Sequence, residues 1–225
     1  MDGDGEFGRL VRVPSGKATV EGDLVVPQGA NGIVVFAHGS GSGRFSPRNQ
    51  YVAKVLNETG IATLLIDLLT KEEEEIDSRT RQFRFDIDLL AKRLLDATKW
   101  LKKDRATKNL ASGYFGASTG AAAALMAAAK LPQDVKVVVS RGGRPDLSAD
   151  YLPKVRASVL LIVGGNDPVV IDLNKEAMKH LAAEKRLEII PGASHLFEEP
   201  RKLEEVARLA ADWFSKHFRS TRQRI

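Results

Sequence analysis

Ser118 stands at the centre of Gly116-Ala117-Ser118-Thr119-Gly120, between an apolar run and an alanine-rich helical run. A serine hydroxyl attacks a carbonyl only when a sharp turn lifts its Oγ clear of the backbone, and flanking glycines let the chain pass close to itself there. Such a hydroxyl needs a base, and the base needs a group to orient it. Of the four histidines, His180 and His217 fall inside helical patterns and His38 opens a glycine-rich loop. His195 follows the apolar run 187–190 in Pro191-Gly192-Ala193-Ser194-His195. That is the carboxyl end of a strand, where reactive groups of open α/β sheets collect, so His195 is the expected base. Asp167 leaves the run 159–163 in the same way, in Gly164-Gly165-Asn166-Asp167-Pro168, and is the expected orienting acid. Turn formation or helix capping is its alternative role. Asp172 is a second candidate that reads better as a cap of the following helix.

Attack on a carbonyl puts negative charge on its oxygen, which two backbone N–H groups can hold. One is expected from Thr119, at the start of the helix after the serine. The other is expected from Ser40 in His38-Gly39-Ser40-Gly41-Ser42-Gly43, whose glycines let amides turn inward. His38 then shapes the loop instead of acting as a base. A phosphate cradle is a poor reading of this loop, because Arg44 replaces the last glycine of Gly-x-Gly-x-x-Gly and no Gly-Lys-Ser/Thr ending follows. Three arginines could hold a substrate carboxylate: Arg44 beside this loop, and Arg141 and Arg144 in Ser140-Arg141-Gly142-Gly143-Arg144-Pro145-Asp146. Pairing with acids such as Asp146 or Asp150 is the competing role.

These residues need a scaffold that brings strand ends together. Strands are predicted near 8–13, 18–26, 33–37, 62–66, 110–115, 135–140, 158–163 and 186–190, the first two as an antiparallel edge hairpin. Helices are predicted near 48–59, 78–103, 119–130, 172–184 and 201–218. Phe83, Ile87, Leu90, Leu94 and Leu101 mark the buried stripe of the long one. Alternating strands and helices imply right-handed crossovers and an α/β fold, an eight-stranded mostly parallel sheet covered on both faces. Only 17 residues separate the strands at 135–140 and 158–163, too few for a helical lid, so an open and shallow cleft is expected. The run Glu72-Glu73-Glu74-Glu75 reads as a solvated loop opposed by Arg79, Arg81 and Arg84. Residues 1–225 are expected to form one domain, with flexible ends at 1–7 and 219–225.

Apolar residues make up 43% and charged residues 28% of the 225, a globular balance, and no apolar run reaches the ~20 residues of a membrane span. The absence of cysteine excludes disulfides, thiolate metal sites and a thiol nucleophile. The acidic, glycine-rich N-terminus lacks the pattern of a secretion signal, so a cytoplasmic location is expected. A net charge of +5 without a basic, aromatic-interleaved stripe argues against nucleic-acid binding. No metal or other cofactor is expected, and a monomer or small homo-oligomer is.

With these pieces in place, the chain from about 17 to 218 resembles the α/β-hydrolases, and among them the dienelactone hydrolase family. The resemblance rests on His38-Gly39-Ser40-Gly41-Ser42-Gly43, Gly116-Ala117-Ser118-Thr119-Gly120, Gly164-Gly165-Asn166-Asp167 and Ala193-Ser194-His195-Leu196-Phe197. It implies a lidless hydrolase of small esters or lactones. Well-studied members carry cysteine where this chain has Ser118, which favours a general carboxylesterase over a dienelactone substrate. A thioesterase, peptidase, acyltransferase or catalytically weak ligand-binding protein would share the same residues.

Overall fold

The structure, a computed structural model, describes residues 8–222. Val-, Ile- and Leu-rich runs with every residue buried form the interior of one eight-stranded sheet, as strands covered on both faces require. The strands are β1 (Arg9–Ser15), β2 (Ala18–Val25), β3 (Gly32–Ala37), β4 (Ala62–Ile66), β5 (Ala111–Ala117), β6 (Val135–Arg141), β7 (Ser158–Gly164) and β8 (Lys185–Ile190). Their order is β1-β2-β4-β3-β5-β6-β7-β8. β1 and β2 pair antiparallel, β2 joins β4 antiparallel, and β4 through β8 run parallel. The sheet therefore points the carboxyl ends of β3, β5, β6, β7 and β8 toward one rim.

The helices are α1 (Pro47–Glu58), α2 (Lys71–Thr80), α3 (Ile87–Leu101), α4 (Thr119–Lys130), α5 (Pro168–His180) and α6 (Lys202–Arg222). On one side, α3 and α4 cover Val35, Leu64, Tyr114, Val138 and Leu161. On the other, α1 and α6 cover Val34, Phe36, Phe115, Val137, Val139 and Ile162. No helix among the described residues is long and apolar enough to cross a membrane.

Three expectations are corrected. The long helix expected over 78–103 is two helices, broken at 81–86. The glutamate run is the start of α2, not a loop. Thr70 caps α2 by a capping box with Glu73, and Asp86 caps α3 by accepting the Leu89 N–H. Glu73 also pairs with the buried Arg93, and Arg84 pairs with Asp77. The tail expected from 219 onward is helical as far as Arg222, while residues 1–7 and 223–225 lie outside the described residues. Between β6 and β7 lies a kinked 3₁₀ segment, Pro145–Lys154, which packs on α4 and α5.

Candidate functional site

The turn from β5 into α4 holds Ser118 at φ 51, ψ −120, a left-handed conformation that non-glycine residues adopt only at a cost of about 1–3 kcal/mol. Surrounding bonds impose it. The Ser118 N–H donates to the Arg141 carbonyl at 3.1 Å, and the Ser118 carbonyl accepts from Ala121 N and Arg144 N. Gly120 has no alternative, since a Cβ there would lie 2.2 Å from the Ala37 carbonyl oxygen. The tight crossing of α4 over the end of β3 thus fixes both the serine and the loop after β3.

Asp167 is the residue preceding α5, but its side chain makes no capping bond to the helix. Its Oδ2 instead accepts from His195 Nδ1 at 2.7 Å. A carboxylate can only accept, so Nδ1 carries the proton and, in the neutral ring, Nε2 is left as the acceptor. The loops bearing the two residues are stitched together. Gly165 N donates to the Ile190 carbonyl, Asn166 N to the Ala193 carbonyl, and Asn166 Nδ2 to the Gly192 carbonyl. Glu199 clamps the far side of the His195 loop by accepting the Ser194 N–H on both carboxylate oxygens. That backbone bond is the chief reason the Glu199 carboxyl titrates below its ordinary value. The His195 ring stands beside Gly142, where a Cβ would come 3.3 Å from Cε1. Asn174, buried on α5, donates to the Gly143 carbonyl and fixes this floor. Asp172 lies on α5 itself, exposed and facing Lys175.

Two differences from the sequence expectation concern the loop after β3. Ser40 N–H does not point into open space but donates to Thr119 Oγ1 at 3.1 Å. The Thr119 and Ser40 hydroxyls lie 3.0 Å apart, and the Ser40 hydroxyl donates onward to the Arg84 carbonyl. A strong donor next to a hydroxyl pairs with it when no better acceptor is present. The cleft is also walled where no wall was expected. A cavity of about 200 Å³ lies between the loop 38–42 and the segment bearing Glu74, Asp77, Ser78 and Arg84. Arg84 holds that wall through Asp77, whose carboxyl burial pushes up. Bonds from the Arg84 and Phe83 N–H groups and the Arg84 guanidinium outweigh burial and keep it below its ordinary value. His38 is buried beneath the loop, its Nε2 accepting the Leu68 N–H, so its Nδ1–H donates to the Gly39 carbonyl.

The three arginines fare differently. Arg44 is committed to Asp67, Glu21 and Asp23, and its guanidinium is mostly buried among them. Arg144 forms a forked pair with Asp146. Arg141 is 7% exposed, and its Nε and Nη1 are buried without a hydrogen-bond partner among the described residues. Burial, followed by repulsion from Arg48, lowers its pKa to about 10. Sequence reasoning passed over Arg48, Asn174 and Glu199, and read Arg84 only as a charge opposing the glutamate run. The two helix-capping signals at Thr70 and Asp86 could have pointed to Arg84.

A serine raised on a strained turn at the strand ends of such a sheet defines the α/β-hydrolase class. The model of the dienelactone hydrolase family matches residues 20–223, and the chain belongs to that family. It is similar to the crystal structure of a dienelactone hydrolase from Anabaena variabilis. That likeness has a TM-score of 0.92 at 60% identity and covers 93% of this chain and 97% of the other. A lidless α/β serine hydrolase from Xanthomonas campestris shares the fold at TM-score 0.74 and 19% identity, over 93% of this chain and 94% of that one. A Mycobacterium tuberculosis protein described as a putative phosphoribosyl transferase is 57% identical over 207 residues. That match covers 92% of this chain but only 46% of the mycobacterial protein.

Proposed function

We propose that this chain cleaves small carboxylic esters or lactones through an acyl-enzyme formed on Ser118. The carrying observation is that the Asp167 carboxylate is spent on His195 Nδ1 instead of capping its own helix. His195 Nε2 takes the Ser118 proton as Oγ attacks the carbonyl carbon, and Asp167 steadies the resulting imidazolium. The Ser40 and Thr119 amides take the oxyanion, which replaces the Thr119 hydroxyl as the acceptor of the Ser40 N–H. Collapse expels the alcohol with the proton from His195. Water, giving a proton to the same nitrogen, then releases the acid and restores the serine. Among the described residues Ser118 and His195 share no hydrogen bond, and contacts of this kind commonly form only once substrate is in place.

The hydrolase reading covers only the 46% of the mycobacterial relative that this chain matches. It is tested by turnover of 4-nitrophenyl acetate and a lactone panel. Ser118→Ala is expected to lower kcat by at least about a thousandfold. Equal turnover by wild type and Ser118→Ala would contradict it.

A further inference from the structure

The peptide joining Gly39 to Ser40 is held from one side. Its carbonyl accepts from His38 Nδ1 at 3.0 Å and from the Ser42 N–H at 3.2 Å. In a planar trans peptide the N–H points opposite to the carbonyl, so the Ser40 N–H is aimed away from both donors and turns over only if their bonds break. It is aimed at Thr119 Oγ1, 3.1 Å away. The pair lies against the nucleophile, since a Cβ on Gly39 would stand 3.2 Å from Ser118 Cβ. Thr119 is buried at the first position of α4, and its own N–H is one of those a helix leaves without an internal acceptor. The Thr119 hydroxyl therefore stands beside both amides that the oxyanion needs.

The hydroxyl protons are assigned by their partners. Ser40 Oγ lies 3.3 Å from the Arg84 carbonyl, which only accepts, so the single Ser40 proton is spent there. The 3.0 Å contact between the two hydroxyls then takes its proton from Thr119. At rest Thr119 accepts from the Ser40 amide and donates to the Ser40 hydroxyl. A bond to an ionised oxygen is roughly twice as strong as one between neutral groups. An oxyanion that takes the Ser40 N–H is thus the better partner for the Thr119 proton as well.

We propose that the Thr119 hydroxyl is a third donor to the oxyanion. It turns from Ser40 Oγ to the charge developing on the carbonyl oxygen and keeps its proton throughout, while Ser40 retains its bond to Arg84. This bond exists only while the charge does, so it accelerates the reaction without tightening substrate binding. The inference rests on the hydrolase reading.

Thr119→Val keeps the volume and the backbone N–H and removes the hydroxyl. Its kcat on 4-nitrophenyl acetate should fall by about a hundredfold, the loss typical of one oxyanion donor, while KM stays within about threefold of wild type. Thr119→Ser, which restores an O–H at the same place, should recover most of that loss. A trifluoromethyl ketone adds to the serine oxygen as a tetrahedral oxyanion, so its affinity for Thr119→Val should fall by the factor lost in kcat. A purely structural role would lower the melting temperature and leave kcat per folded molecule and ketone affinity alone. If Thr119→Val fails to fold, Thr119→Ala carries the same comparison. Unchanged or raised kcat in a folded Thr119→Val, with turnover still lost in Ser118→Ala, would overturn the third donor alone. Turnover in Ser118→Ala equal to wild type would remove the hydrolase reading and the third donor with it.

Discussion

At the scale of single residues, roles follow from which partners a side chain is left with. Asp167 had two uses open to it in the sequence, cap or acid, and its carboxylate pairs with His195 Nδ1 and makes no bond to the start of α5. That choice was legible from strand-end position. The separation of Arg141 from Arg44 and Arg144 was not, because pairing depends on acids such as Glu21 and Asp67 that lie far away in the chain. His38 shows the same dependence. Burial lowers its pKa below the ordinary 6.5, and its neutral ring accepts the Leu68 N–H. The unfolded chain takes up a proton below about pH 6.5 and the folded chain resists it, so this contribution is full above that pH and lost as pH falls. Thermal melts from pH 7.5 to 5 should therefore show a falling melting temperature, with a shallower slope in His38→Gln. An identical slope in the variant would contradict the buried neutral assignment.

At the scale of elements, strand positions were legible because buried parallel strands are short, continuous and β-branched. The α2–α3 break was not. The residues 81–86 contain neither glycine nor proline, and Arg81 ends α2 in a left-handed conformation at φ 58 without the usual glycine signal. The capping pairs Thr70 with Glu73, and Asp86 with the Leu89 N–H, were present in the sequence and outweigh the apparent continuity of the Phe83-Ile87-Leu90 stripe. The consequence is functional, since this break sets Arg84 and Asp77 as the wall opposite the loop after β3. The crossing of α4 over β3 is the other element-level constraint. Gly120→Ala forces a Cβ against the Ala37 and His38 carbonyl oxygens. Its expected cost is about 1–3 kcal/mol or more, read as a lower urea midpoint. Ester turnover should fall with it, since Ser118 and the loop after β3 share that crossing. A variant as stable and active as wild type would contradict the tight elbow.

At the scale of the whole molecule, the rim is only as rigid as the two layers beneath it. α6 closes the layer under β5, β6 and β7 with Phe214 and Phe218, and the Phe218 ring fills the space above Gly32 and Gly113. Phe218→Ala should cost about 3–5 kcal/mol in urea unfolding, since the backbone cannot collapse into the gap. A loss under about 1 kcal/mol would mean that α6 is not part of the core. This layering was legible from the alternation of strands and helices, although the end of α6 was set too early because its last turn is basic and polar. The open side was legible only in part. The short connection after β6 does leave the sheet without an inserted helical lid there, yet α2 rises from the opposite connection.

The central claim is that Ser118 is the atom that attacks. Incubation with a fluorophosphonate, followed by intact-mass and peptide mapping, tests it most directly. One adduct should form, on the peptide containing Ser118, and it should be absent from Ser118→Ala and slowed in His195→Gln. Labelling at another residue, or equal labelling of Ser118→Ala, would contradict the account.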